Sequence, residues 1–362
     1  MSWVLVILGF TLLIVLHEAG HFTAAKAVGM RVERFFLFFP PKLVSVKRGE
    51  TEYGIGAIPA GGFVKITGMN PEEELPPDVA PRAYYHQPVW KRIVVIAAGP
   101  AVNIALAFVI LFVLAFGARD INNSVGKIDP GSPAAAHLAP GDKVIAVDGK
   151  RFANASTEER LTHFGNLVAS HKCPGKQTEG CRARTPVKLA ILRDGRVRTL
   201  SITPRFDPAV DRTRIGFSYG STPAHPSVAQ AASRSVNFMW LVTSKTVAVI
   251  GRIFEPEQRK QVSGVVGVSD VAHQTIGFGA REALILLGVV SLSLGIINLF
   301  PFLPLDGGHI FWSLVEKVRG SPVPFSVMER AGAIGFVLVI MLFVIGLTND
   351  IGRLTGEGFN VR

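Results

Sequence analysis

The residues of this chain best equipped for chemistry stand together near its start: His17-Glu18-Ala19-Gly20-His21, an H-E-x-x-H pattern. On a helix, residues four apart share one face. Two imidazoles at that spacing can hold one Zn²⁺, and the glutamate beside the first is placed to act on a water at the metal. A catalytic zinc ordinarily takes three protein ligands and keeps a position for water, so a third donor is required elsewhere. In a soluble setting a five-residue match is only moderately specific. Here it closes an apolar run from Trp3 to Leu16, and ionisable groups at membrane depth are costly enough to mark function. Three together, with no basic partner nearby, point to a metal.

Among the acids and imidazoles of the apolar runs, one candidate for the third donor stands out. It is Asp306, in Phe302-Leu303-Pro304-Leu305-Asp306-Gly307-Gly308-His309. The prolines break the helix before it, and the paired glycines let backbone approach closely. Non-helical chain at that depth is tolerated only inside protein. The plainer reading, a turn aspartate capping the next helix, weakens opposite H-E-x-x-H.

The elements that must position these residues follow from the uneven spread of apolar side chains. Of 362 residues, 48% are hydrophobic and 18% charged, and the apolar ones gather at residues 3–28, 93–118, 283–303 and 331–347. A bilayer core needs roughly 20 apolar residues as helix, so four transmembrane helices are predicted. The first run could instead be a secretory signal, with Ala25-Lys26-Ala27 as its cleavage site. No basic residue precedes Trp3, however, and a histidine–glutamate pair has no place in a signal. An uncleaved first helix is the expectation.

Net charge is +11, and its placement gives orientation. Lys26, at the inner end of the first apolar run, and Arg31, Arg34, Lys42, Lys47, Arg48, Lys65, Arg82, Lys91 and Arg92, between the first two runs, are basic. The positive-inside bias therefore puts that loop in the cytoplasm and the N-terminus outside. At 1.5 Å per residue His17 lies roughly 21 Å along the helix from Trp3, past the bilayer middle. The same topology places Asp306 at the inner end of the third helix, so the two halves of the site share one depth. Basic residues that flank helices, without an aromatic-interleaved stripe, argue against nucleic acid as a partner.

The reading along the chain is a polytopic α-helical membrane protein with a membrane-associated β-sheet and an extracytoplasmic domain. Residues 1–29 form the first transmembrane helix. Residues 30–88 form a cytoplasmic-side sheet and loop, with strand-like runs Val32 to Phe39, Leu43 to Val46, Tyr53 to Ile58 and Phe63 to Ile66. Residues 89–118 form the second helix. A soluble unit occupies 119–205, with strands at Val125–Ile128 and Lys143–Val147 and a helix at Thr157–Ser170. Asp194-Gly195 makes a hairpin of Val187–Arg193 and Arg196–Ile202. Residues 206–281 hold a linker and an amphipathic helix at 226–254, too interrupted by polar residues to span and placed on the outer membrane surface. The third helix and the Asp306 motif take 282–310, a cytoplasmic-side helix and loop 311–330, the fourth helix 331–348 and a tail 349–362. The two cysteines, Cys173 and Cys181, fall in the outer unit, where an oxidising compartment favours a local disulfide.

Within that unit, Gly126-Lys127-Ile128-Asp129-Pro130-Gly131-Ser132-Pro133-Ala134-Ala135, continuing into Ala139-Pro140-Gly141-Asp142-Lys143-Val144-Ile145, resembles a PDZ domain, with 171–185 inserted. Such domains take an extended peptide as an added strand; a spacer that binds nothing is the plainer alternative. H-E-x-x-H in the first helix, Leu-Asp-Gly-Gly after the third and a PDZ-like unit between the second and third together resemble the site-2 protease family, in its bacterial RseP-type form. Ala98-Gly99-Pro100-Ala101-Val102-Asn103 is similar to the family's second-helix motif, and Gly295-Ile296-Ile297-Asn298-Leu299-Phe300-Pro301 to its asparagine-bearing segment. Val262-Ser263-Gly264-Val265-Val266-Gly267 resembles its short glycine motif, with Val265 where proline is usual, and one PDZ-like unit stands where some members have two.

The resemblance implies an intramembrane zinc endopeptidase of the plasma membrane, multi-pass, with the N-terminus and PDZ-like domain outside. Its substrates would be single-pass membrane proteins, either trimmed anti-sigma factors or remnant signal peptides. It implies Zn²⁺ on His17, His21 and Asp306, and Glu18 as the general base and acid. Asn298 and Asn103 would hydrogen-bond substrate, and residues 51–66 would supply an edge strand for an unwound substrate helix. A membrane-anchored scaffold with a dead site would lack part of this set, and all four residues are present. Metal transport would need polar residues along several helices, which the second and fourth helices lack.

Overall fold

The computed structural model describes residues 2–151, 157–175, 177–208, 210–252, 255, 259 and 262–356. The last residues of the predicted 349–362 tail lie outside these. Among the described residues there are eight α-helices: α1 (Ser2–Ala27), α2 (Val89–Phe116), α3 (Thr157–Ser170), α4 (Val228–Gly251), α5 (Val265–Phe278), α6 (Ala280–Asn298), α7 (Asp306–Arg319) and α8 (Phe325–Thr355). The chain divides into two compact units, one of residues 1–115 with 227–362 and the other of 116–226.

In the first unit four helices are long and apolar enough to cross a membrane: Trp3–Ala27, Val89–Phe116, Ala280–Asn298 and Phe325–Thr355. They expose rather than bury their large apolar side chains, among them Leu5, Ile7 and Leu8 on α1 and Ile334, Phe336 and Val337 on α8. In water that exposure would be costly; against lipid it is the ordinary state. Helix α8 outruns its apolar run at both ends, taking in Glu329, Arg330, Asp350 and Arg353. The third span stops at Asn298, and a turn over 299–305 leads into α7 as a separate helix. Gly320, in the left-handed region, closes α7 with its N–H on Glu316 O.

Helix α4 is the 24-residue amphipathic segment expected at 226–254. Met239 and Val242 in its middle pack on Ala107 of α2 and on Leu292 and Ile296 of α6, so its apolar stripe has protein neighbours as well as an exposed face. Ser227 and Gln230 form a reciprocal capping box at its start.

Strands β1 (Val32–Arg48) and β2 (Thr51–Ile66) pair antiparallel, each bent so that it counts twice. Arg34 faces both Lys65 and Glu52, and Val44 faces Ile55. The four predicted runs therefore lie side by side, with 62–66 on one edge, then 32–39, then 51–58, and 42–48 on the other edge. Glu50, beside the turn, is gripped by Arg82 and by Lys26 at the end of α1. The Arg82 hydrogen bonds first, then Lys26, hold its carboxyl down to about 2.

The second unit is built on an antiparallel sheet of β3 (Arg119–Ile128), β4 (Lys143–Val147), β5 (Lys150–Arg151), β6 (Val187–Arg193), β7 (Arg196–Ile202) and, after the small pair β8 (Arg205–Asp207) and β9 (Arg212–Arg214), β10 (Phe217–Pro223). Its order is β10-β3-β4-β6-β7, with β5 on β4. Phe164 and Val168 of α3 close the core over Val144, Leu189, Ile191 and Ile202. Cys173 and Cys181 form the expected disulfide, and Arg193 grips the buried Asp142, whose carboxyl it holds below the usual range.

Candidate metal centre

Helix α1 delivers His17 and His21 to one face, one turn apart, and both are buried. The face is sealed by α2, which approaches so closely that neither helix has room for a methyl at the contact. A Cβ on Gly20 would sit 2.6 Å from Ala98 O, and one on Gly99 would enter the His21 ring. His21 Nδ1 stands 2.9 Å from the carbonyl oxygen of Val95. That acceptor can only receive a proton, so Nδ1 donates and, in the neutral ring that a metal requires, Nε2 carries a lone pair.

Asp306 is the first residue of α7. Its side chain does not cap that helix; it reaches across to α1. Gly307 and Gly308 let the turn after α6 fold tightly enough, since a Cβ on Gly307 would strike Leu299 O and one on Gly308 would lie 2.5 Å from Leu303 N. Asp306 Oδ2 ends 3.2 Å from His17 Nε2 and 3.3 Å from His21 Nε2, and the two ring nitrogens are 3.3 Å apart. Among the described residues these three form the one cluster able to hold a metal ion.

The donor set fits zinc. A tetrahedral zinc with bonds of about 2.0–2.1 Å has its ligand atoms about 3.3–3.4 Å apart, and the triangle here has sides of 3.2–3.3 Å. Asp306 Oδ2 is buried without a hydrogen bond. The His21 lone pair facing it cannot supply one. Acceptors so arranged repel one another unless a cation lies between them.

Glu18 lies beside this triangle, under the edge run 62–66 of β2. A Cβ on Gly62 would come 2.9 Å from Glu18 Cγ. Among the described residues no strand pairs with the outer side of 62–66. Of the predicted edge segment 51–66, then, 62–66 is an edge at the site and 51–58 is interior. Asn103 is fully buried with its Nδ2 3.3 Å from His17 Nδ1. Asn298 ends α6 half-buried, and among the described residues its side chain makes no hydrogen bond.

Several supports are not visible in the sequence. Ser291 Oγ, fully buried on α6, donates to Asn103 O at 2.8 Å. Arg92 of α2 pairs with Glu316 of α7 while its guanidinium lies 5.4 Å from the Tyr85 ring and 5.9 Å from that of Tyr84. This pair, buried on the Arg92 side, fixes the helix that begins with Asp306. Burial pushes the Tyr84 hydroxyl up, so it stays protonated there. A lone arginine near the start of an apolar run signals an ion pair, but its partner 224 residues on does not show in the sequence.

Residues 5–342 match the sequence model of peptidase family M50. Zinc metalloprotease Rip1 of Mycobacterium tuberculosis is 29% identical over 407 aligned positions, covering 96% of this chain and 96% of its own. Rip1 of Mycolicibacterium smegmatis is 30% identical, covering 92% and 90%. A Brucella suis protein named as a candidate zinc metalloprotease is 30% identical over 94% of this chain and 92% of its own.

Proposed function

Because the chain belongs to peptidase family M50, the site-2 protease family, and is a zinc metalloprotease, we propose that it hydrolyses a peptide bond inside the membrane-spanning segment of single-pass proteins. The observation that carries this reading is the meeting of His17, His21 and Asp306 beside helices able to cross a bilayer. In it those three residues hold the zinc and Glu18 handles the protons.

When bound, zinc supplies Lewis acidity and brings the pKa of a water towards about 7. Glu18 takes a proton from the attacking water and returns it to the amide nitrogen as the C–N bond breaks. A helical peptide bond is shielded by its own turn, so the substrate must be extended before attack. The free edge of 62–66 offers backbone donors and acceptors to such a strand, beside Glu18. Asn298, its amide uncommitted among the described residues, is the substrate-binding asparagine in this account.

The positive-inside pattern supports a plasma-membrane orientation with the N-terminus and residues 119–205 outside and 30–88 and 311–330 in the cytoplasm. Water then reaches the site from the cytoplasmic side, and the cut falls in the inner part of the substrate span. Residues 119–205 act as a PDZ-like unit that screens out untrimmed proteins, and trimmed anti-sigma factors or remnant signal peptides are the substrates. The test is cleavage of a single-span reporter by the purified chain in liposomes, with both fragments mapped by mass spectrometry. Termini inside the apolar segment are expected; cleavage confined to flanking loops would overturn the proposal.

A further inference from the structure

Asn103 is 0% exposed, in the apolar run that follows Lys91 and Arg92 on α2. One end of its side-chain amide faces His17 Nδ1 at 3.3 Å, and the other end has no partner. Its own carbonyl is tied to Ser291 of α6. An enclosed amide spent on a histidine ring is poorly placed to meet an incoming substrate.

The two ends of the amide differ chemically but hardly in shape, and which one faces the ring follows from hydrogen-bond logic. If Nδ2 donated to His17 Nδ1, the ring proton would sit on Nε2. That nitrogen would then point an N–H into the triangle with His21 Nε2 and Asp306 Oδ2. Turned the other way, the amide oxygen accepts from Nδ1–H and Nε2 presents a lone pair. Either orientation leaves one amide end unpartnered, so satisfaction of the amide does not decide between them; the ring does. His21 is held in the corresponding tautomer by Val95 O. Metal-bound histidines commonly give their second N–H to an oxygen acceptor in this manner.

We propose that Asn103 is a positioning residue for the zinc ligand His17: its side-chain oxygen accepts Nδ1–H and fixes the tautomer, while its backbone carbonyl is anchored to α6 by Ser291 Oγ. This rests on the reading of His17 as a zinc ligand. The test is zinc affinity by chelator competition on the full-length protein in detergent, a measurement that needs no turnover. Asn103→Leu keeps the bulk and removes the acceptor, and is expected to weaken zinc 10–100-fold. Asn103→Asp offers only acceptors and is expected to stay within about threefold of the parent. His17→Ala tests the underlying reading separately, and should weaken zinc more than either. Unchanged affinity in His17→Ala would defeat the ligand reading itself. Weak zinc in His17→Ala with parental affinity in Asn103→Leu would overturn this proposal alone. So would an Asn103→Asp protein more than 10-fold weaker, and that variant decides the question if Asn103→Leu does not fold.

Discussion

Replacing Gly99 with alanine tests whether the α1–α2 contact sets the metal site. The added methyl would lie 2.6 Å from His21 Cε1 and 2.8 Å from Cδ2, where ordinary contact begins at 3.4 Å. His21 Nε2 would be closer still, so the ring must retreat by at least about 0.8 Å, or the helices must part. Parting is resisted by the Gly20–Ala98 contact on the same face. Metal–ligand distances tolerate about 0.2 Å, so the displacement is several times too large for undisturbed ligation. We expect zinc affinity to fall 10–100-fold, about 1.4–2.8 kcal/mol, as when a supporting residue of a metal site is lost. Glycine to alanine within a helix otherwise favours the fold by up to about 1 kcal/mol, so weaker zinc with undiminished helicity is the signature. Gly9→Ala is the matched control, since its methyl would meet Leu287 Cδ1 at an acceptable 3.4 Å. Chelator competition on all three proteins is the assay. Parental zinc affinity in Gly99→Ala would refute the reasoning.

Two further outcomes follow from contacts away from the metal. Glu50 has its folded pKa depressed from 4.5 to about 2, so its ion pairs with Arg82 and Lys26 stabilise fully above pH 4.5 and fade as pH falls towards 2. The melting-temperature gap between the parent and Glu50→Gln should therefore be constant from pH 7 to 5 and narrow below; a gap that widens on acidification would contradict this. Asp350, fully buried on α8, accepts from Gly264 N at 3.1 Å and Gly267 N at 2.8 Å, at the start of α5. Asp350→Ala strands these donors at about 1–3 kcal/mol each, and hydrogen exchange at residues 264–267 should accelerate at least 10-fold; unchanged exchange would show the contact to be incidental.

What the sequence revealed and what it hid divide by distance along the chain. H-E-x-x-H could be read because four-residue spacing and apolar surroundings are local facts. Asp194-Gly195 and the periodicity of Thr157–Ser170 gave their elements to the residue for the same reason. The bent pairing of β1 and β2 could not be read, since strand order depends on partners and not on the run itself. The break after the third span could be read from its prolines, but the start of α7 at Asp306 rather than beyond residue 310 could not, since it turns on seven tightly folded residues. Asn103 shows the limit most plainly. Its motif suggested a polar role, but only the three-dimensional neighbourhood shows that its amide faces His17 rather than open space.

The central claim is that Glu18 moves protons at a zinc held by His17, His21 and Asp306. Glu18→Gln keeps the shape of the side chain and removes its basicity. Zinc content and single-turnover cleavage of a membrane-spanning reporter, measured on the same liposome preparation, give the direct test. The account predicts about one zinc per chain with cleavage reduced by at least 10²-fold. Cleavage at the parental rate, or loss of zinc in step with activity, would contradict it.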